Sequence, residues 1–209
     1  MKKCAACKKK APYPVRHAGI WFCKEHFIHY FERKAKQAIR EFGIFDGNGK
    51  IGVLSSKETG SSSLIFILNE IAKGRKNKIV VLKRIAKKGP LGLVVTGHCL
   101  DDFVLKMTVH AMLNQPEKLG KISPLNGFWA DEIKLRHPAP LFRLYREEIA
   151  LYAKIRKLKI EKDGKKTEFE KAVSSFIERM ENRHPGTKHK MQKSLLFFSS
   201  SSRQCLQQH

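Results

Sequence analysis

Four residues near the amino terminus have the types and the spacing of a metal site. Cys4 and Cys7 form a Cys-x-x-Cys pair and, fifteen residues later, Cys23 and His26 form a Cys-x-x-His pair. Three thiolates and one imidazole suit tetrahedral Zn2+, because an x-x spacing lets two ligands converge from one tight turn. The chain has five cysteines, an odd number, and three fall within this segment. Ligation is therefore expected rather than a disulfide framework. Residues 1–26 include Pro12, Pro14 and Gly19 and carry little apolar mass, so the metal would supply much of the segment's folding energy.

Two further segments have the makings of an anion site. Residues 50–54, Lys-Ile-Gly-Val-Leu, read as a buried strand, and a Ser/Gly-rich loop follows from Ser55 to Ser63, opening into an apolar helical pattern over 64–72. Strand, loop and helix start together point free N–H groups and the positive helix end at one place, which suits phosphate. Ser55, Ser56, Gly60, Ser61, Ser62 and Ser63 are the candidate phosphate contacts. The loop is neither a Walker loop nor a dinucleotide fingerprint, and the other reading is an ordinary connection capped by serines. The second segment is Gly97-His98-Cys99-Leu100-Asp101-Asp102, after a β-rich run over 91–96. Ligands in open α/β sheets bind beyond the carboxyl ends of strands, so Gly97, His98, Asp101 and Asp102 belong in such a crevice. Acids at a helix start are also ordinary.

These pieces need elements to hold them. Apolar residues at spacings of three and four predict a helix over 27–42, and further helices are expected over 79–88, from about 100 to 113, over 145–157 and over 166–181. Residues 116–142 read as irregular, and 194–209 as a low-complexity tail without folding logic. The expected organisation is a zinc knuckle (1–26), a linking helix and turn (27–48), a reduced α/β domain (49–143), a basic helical segment (144–193) and the tail (194–209). With 42 Lys and Arg against 19 Asp and Glu, the formal charge is +23, which points to a polyanionic partner and above all to nucleic acid. The excess is spread along the chain, so no single tail accounts for it. No apolar run reaches the roughly 18 residues of a membrane span, and no apolar leader follows Met1, so no membrane association and a cytoplasmic location are expected.

Taken together, the motifs resemble those of the ATP-dependent tRNA 2-thiouridine synthetases of the TtuA and cytoplasmic tRNA thiolation type, within the PP-loop ATP pyrophosphatases. In that family a zinc knuckle precedes a linking helix, a strand with Ser-Gly-Gly-x-Asp-Ser, and a later Thr-Gly-His-Asn-Leu-Asp-Asp. Here the counterparts are the Cys4, Cys7, Cys23 and His26 set and Thr96-Gly97-His98-Cys99-Leu100-Asp101-Asp102. Leu113-Asn114-Gln115-Pro116, Pro140-Leu141-Phe142-Arg143 and Arg183-His184-Pro185-Gly186-Thr187-Lys188 are similar to later family segments.

The resemblance implies a reduced, mainly parallel PP-loop (adenine nucleotide α-hydrolase-like) sheet, with ATP and Mg2+ as cofactors and tRNA as partner. It makes Ser55, Ser56, Gly60, Ser61, Ser62, Ser63, Gly97 and His98 the candidate ATP contacts and Asp101 and Asp102 the candidate catalytic acids. Cys99, where the family has Asn, is either a sulfur acceptor or a small packed residue. In the implied reaction the C2 oxygen of a tRNA uridine is adenylated and then replaced by sulfur, which a sulfur-carrier protein could bring. Arg143, Arg146, Arg183 and Lys188 are the candidate RNA contacts, and Phe128, Trp129 and Phe142 either stack on bases or belong to a core. The chain departs from the family in its loop, where most glycines are replaced, and in lacking a Cys-x-x-Cys between residues 64 and 94 and a carboxyl-terminal zinc ribbon. An iron–sulfur cluster is accordingly not expected. The chain then acts in thiolation directly or as a catalytically degenerate partner; the alternative is a zinc-knuckle RNA- or ribosome-binding module without nucleotide chemistry. Sheet edges left open by the shortened fold would favour a homodimer.

Overall fold

A computed structural model describes residues 2–47, 49–55, 60–83, 91, 93–125, 137–160 and 164–206, with only the backbone described for 198–206. The amino-terminal segment is a small antiparallel hairpin of β1 (Tyr13–Val15) and β2 (Ile20–Phe22), joined by one 3-10 turn that ends at Gly19 with φ of 64°. Helix α1 (Lys24–Glu41) follows at once. Phe27, Tyr30, Phe31, Ala35, Ala38 and Ile39 form its buried stripe at helical spacing.

The main sheet has three parallel strands in the order β4-β3-β5: β3 (Lys50–Leu54), β4 (Lys78–Leu82) and β5 (Val94–Val95). Central β3 buries Ile51, Gly52, Val53 and Leu54, as a strand covered on both faces must. Helix α2 (Ser61–Ala72) makes the crossover from β3 to β4. It is followed, after β5, by α3 (Leu100–Met112), α4 (Pro116–Lys121), α5 (Arg146–Arg156), α6 (Glu168–Arg183) and α7 (Thr187–Leu206). The α/β class and the small parallel sheet agree with the expectation from sequence.

The largest core cluster joins Val53, Leu64, Ile67, Leu68 and Val95 to Phe31 and Tyr152, whose rings stack at 4.1 Å between centroids. A second cluster packs Leu100 and Val104 of α3 against Tyr145, Val173 and Ile177. A third packs Phe103 and Met107 against Ala38, Ile122, Ala139 and Phe142. Residues 137–139 run beside β5, where the Thr96 amide donates to the Pro138 carbonyl at 3.0 Å.

Three local expectations are corrected. Residues 78–82 are a strand rather than the start of a helix over 79–88: Ile79-Val80-Val81-Leu82 is a short β-rich run that pairs in register with Ile51 to Leu54. Residues 84–88 of that expected helix lie outside the described residues. The irregular stretch contains α4, begun by Pro116 at a position where its missing N–H costs nothing. The supposed tail continues α7 to Leu206, because Leu195 and Leu196 pack on the third cluster and carry the helix past its serine run. Among the described residues, no helix is long and apolar enough to cross a membrane.

Candidate metal centre and nucleotide crevice

The two halves of the metal quartet come from different local structures. Cys4 opens a tight turn in which the Lys8 amide donates to the Cys4 carbonyl at 2.9 Å, and the Ala5 amide ties this turn to β2 through the Trp21 carbonyl at 2.9 Å. Cys23 is the N-cap of α1 and His26 lies in its first turn. The four ligand atoms all lie within 4.8 Å of one another. Cys4 Sγ is 3.6 Å from His26 Nδ1, Cys7 Sγ is 3.8 Å from Cys23 Sγ, and Cys23 Sγ is 3.2 Å from His26 Nδ1. Bonds of about 2.0–2.3 Å to one tetrahedral ion set ligand atoms roughly 3.5–3.8 Å apart, so the donor set fits. For Cys4, burial opposes the thiolate but the backbone N–H groups of Cys23, Cys7 and Ala6 outweigh it, drawing the group down to about 6. For Cys23, the His26 amide favours the thiolate, yet burial and the neighbouring Glu25, Cys7 and Cys4 side chains push it up to about 11.

The crevice is built where β3 and β5, adjacent and parallel, end side by side. A Cβ on Gly97 would lie 2.5 Å from the Ser61 amide nitrogen, and one on Gly60 would lie 2.1 Å from the Gly97 carbonyl oxygen and 2.8 Å from Leu141 Cδ1. Both positions therefore require glycine, because backbone cannot give way as a flexible side chain can. Ser61 and Ser63 are buried. Ser61 Oγ donates to the Leu54 carbonyl at 3.3 Å, while Ser63 Oγ is enclosed without a hydrogen-bond partner among the described residues. Ser55 and Ser62 are half-buried; Ser56 lies outside the described residues. His98 is buried, with Nδ1 3.0 Å from Thr96 Oγ1.

Asp101 and Asp102 open α3 and reach in different directions. Asp102 accepts from the Cys99 amide at 2.8 Å and pairs with the Arg146 guanidinium. Asp101 accepts from the Arg146 amide at 2.7 Å and from Lys188 Nζ at 2.5 Å. Lys188, only 4% exposed, also donates to Glu178 at 2.6 Å. Burial opposes its charge, but Asp101 and Glu178 outweigh this and raise its pKa. The two acids thus fasten α3 to α5 and α7, beside a cavity of about 400 Å³ lined by Asp101, Arg146, Glu147, Asn182 and Lys188 among others. Cys99 is fully buried, and burial together with Asp102 and Asp101 pushes its thiol well up, which keeps it protonated.

Among the remaining candidates, Arg143 donates to Glu41 at 2.7 Å and stacks over Phe142, while Arg183 is exposed at the end of α6. Phe142 belongs to the third core cluster; Phe128 and Trp129 lie outside the described residues. Two contributors escaped the reading of the sequence. Leu141 closes on Gly60, and its signal was the Pro140-Leu-Phe-Arg segment. Glu148 is buried between Tyr30, whose hydroxyl donates to it at 2.9 Å, and the Tyr145 amide at 3.1 Å. Its signal was the capping-box spacing of three from Tyr145.

No protein-family model matches the chain. It is similar to the tRNA-5-methyluridine(54) 2-sulfurtransferase of Thermotoga maritima, 38% identical over 69 residues, which is 33% of this chain and 23% of that protein. It is also similar to the protein of the same description from Pyrococcus horikoshii, 22% identical over 136 residues, 65% of this chain and 40% of the relative. The chain thus spans less than half the length of these relatives. Among solved structures, the U34-tRNA thiolase NcsA from Methanococcus maripaludis with its [4Fe-4S] cluster matches with a TM-score of 0.76 and 19% identity, over 96% of this chain and 89% of that one. The expectation that an iron–sulfur cluster is foreign to this chain is corrected by that finding: the thiolase sharing the fold carries one, and this chain has a cysteine-rich site of its own. The expectation weighed a cysteine pair missing between residues 64 and 94 and Lys162-Asp163-Gly164 standing in place of a third cysteine, whereas thiolates serve iron as well as zinc wherever they converge. The chain is similar in sequence to tRNA-5-methyluridine(54) 2-sulfurtransferases over part of its length and shares the fold of a tRNA thiolase over nearly all of it.

Proposed function

We propose that this chain binds tRNA and takes part in ATP-dependent thiolation of a tRNA uridine, in the cytoplasm, with a structural metal ion on Cys4, Cys7, Cys23 and His26. The observation that carries the reading is the contact of Gly60 with Gly97, which presses the loop after β3 and the loop after β5 together at the carboxyl edge of a parallel sheet. Ligands of such sheets collect there. ATP would meet the backbone N–H groups at the start of α2 and the half-buried Ser55 and Ser62, with Gly97 and His98 forming the opposite wall. The uridine C2 oxygen would attack the α-phosphorus and release pyrophosphate. A sulfide-level nucleophile from a sulfur-carrier protein would then add to C2, and AMP would leave with the former oxygen. Asp101 and Asp102 would act by fixing the wall of the crevice through Arg146 and Lys188.

Calorimetric titration of ATP into the metal-loaded chain, with and without unmodified tRNA, tests the reading. Saturable binding followed by AMP release and 2-thiouridine supports it. Heat from tRNA but none from ATP under either condition would replace it with an RNA-binding module lacking nucleotide chemistry.

A further inference from the structure

Helix α6 buries one side and leaves a second stripe bare. Val173 and Ile177 pack against Leu100, Val104 and Tyr145. On another flank Phe169, Ala172, Phe176, Arg179 and Arg183 follow at spacings of three and four, and so lie along one line of the helix surface. Phe169 is 41% and Phe176 48% exposed, and both arginines are exposed.

The arginines set this stripe apart. Elsewhere in the second half of the chain, Arg143 is held by Glu41, Arg146 by Asp102 and Arg156 by Glu32. Among the described residues, neither the Arg179 nor the Arg183 side chain has an ion-pair or hydrogen-bond partner; Glu168, beside Phe169, is taken by Lys171 at 2.6 Å, and Glu178, beside Arg179, by Lys188 at 2.6 Å. Two bare rings followed by two uncommitted guanidinium groups therefore lie on the surface of a chain of formal charge +23.

We infer that this stripe of α6 is a platform for single-stranded RNA, with bases on Phe169 and Phe176 and phosphates on Arg179 and Arg183. The inference rests on the proposal that the chain binds tRNA, and it specifies unpaired nucleotides as what this surface takes. Charge complementarity selects the occupant: a second copy would set like-charged faces together, whereas a polyanion with exposed π faces satisfies rings and guanidinium groups at once. Spacing selects the strand state. The two rings stand seven residues apart, about 10.5 Å along the helix. Bases in a duplex stay stacked on one another and offer no free faces, while splayed nucleotides can reach both rings.

The test measures binding of a labelled oligouridine and of an RNA duplex of equal length to the full chain, across a salt series. Phe169→Ala with Phe176→Ala is expected to weaken oligouridine binding about tenfold or more, to leave duplex binding and the salt slope unchanged, and to be rescued by Phe176→Trp. Arg179→Ala with Arg183→Ala is expected to weaken both ligands and to lower the single-strand salt slope by about 1.4, roughly 0.7 for each phosphate contact. Unchanged oligouridine affinity in the phenylalanine double variant, with an unaltered melting curve, overturns the inference. So does a concentration-dependent dimer that the same variant abolishes, since a second copy would then own the stripe. Binding of neither RNA by the wild-type chain would instead remove the tRNA reading on which the inference rests.

Discussion

Gly60 and Gly97 touch back to back, each occupying the space that the other's missing side chain would need. The contact joins two loops separated by a helix and two strands in sequence, and it exists because β3 and β5 are neighbours in the sheet. Gly97→Ala would drive a methyl group to 2.5 Å from the Ser61 amide nitrogen. It should cost about 1–3 kcal/mol and lower the melting temperature by several degrees. The same variant should lose the calorimetric ATP signal. A variant with unchanged stability and ATP binding would show that the loops are free to part.

Lys188 and Asp101 predict a stability effect. Lys188→Met leaves Asp101 without its cation in a mostly buried place, while the half-exposed Glu178 turns to solvent, at a cost on the order of 3 kcal/mol by chemical denaturation. Adding Asp101→Asn should recover part of that loss, because the stranded charge is then gone. Additive losses in the double variant would mean that the two residues are not coupled.

Glu148 gives a pH dependence with a definite sign. Burial raises its carboxyl to about 7, against the favourable influence of Lys34, the Tyr145 amide and the Tyr30 hydroxyl. The folded chain therefore keeps a proton that the unfolded chain releases above about pH 4.5. This contribution is complete below the unfolded value and lost as pH rises through about 7. Glu148→Gln should remove it, so the variant should gain on the wild type between pH 5 and pH 8 by on the order of 2–3 kcal/mol. His17 and His189 act oppositely. Burial lowers each to about 4, first among causes that include Lys34, so their contribution is present above about 6.5 and lost as pH falls through 4. Parallel pH profiles for wild type and Glu148→Gln would refute the assignment to Glu148.

The metal quartet is testable by composition. Elemental analysis of the purified chain should find one tetrahedral metal ion per chain bound by residues 4–26, and measuring iron and acid-labile sulfide on the same sample distinguishes zinc from a cluster. Cys7→Ser should lower the metal content and unfold the turn of residues 4–11 while leaving the main sheet formed, since that turn packs in a small cluster with Cys23 whereas Val15 of β1 belongs to the main core. Retention of full metal stoichiometry in Cys7→Ser would discard it as a ligand.

The sequence by itself determined the cluster of Cys4, Cys7, Cys23 and His26, the two glycine-bearing loops, the amphipathic α1, α5 and α6, and the α/β class. Each of these is written in local spacing: ligands within one turn, apolar residues at three and four, or glycine beside a short β-rich run. Tertiary structure alone decided the rest. Ile79 to Leu82 became a strand because Ile51 to Leu54 offered hydrogen bonds in register, and the serine-rich end of α7 became helical because Leu195 and Leu196 found Phe103 and Met107 to pack against. The same holds for charge. Nothing local distinguishes Lys188, buried against Asp101, from Arg183, exposed at the end of a bare stripe, because a cation's partner is chosen by which helices meet, and contacts between residues 87 positions apart leave no mark in spacing.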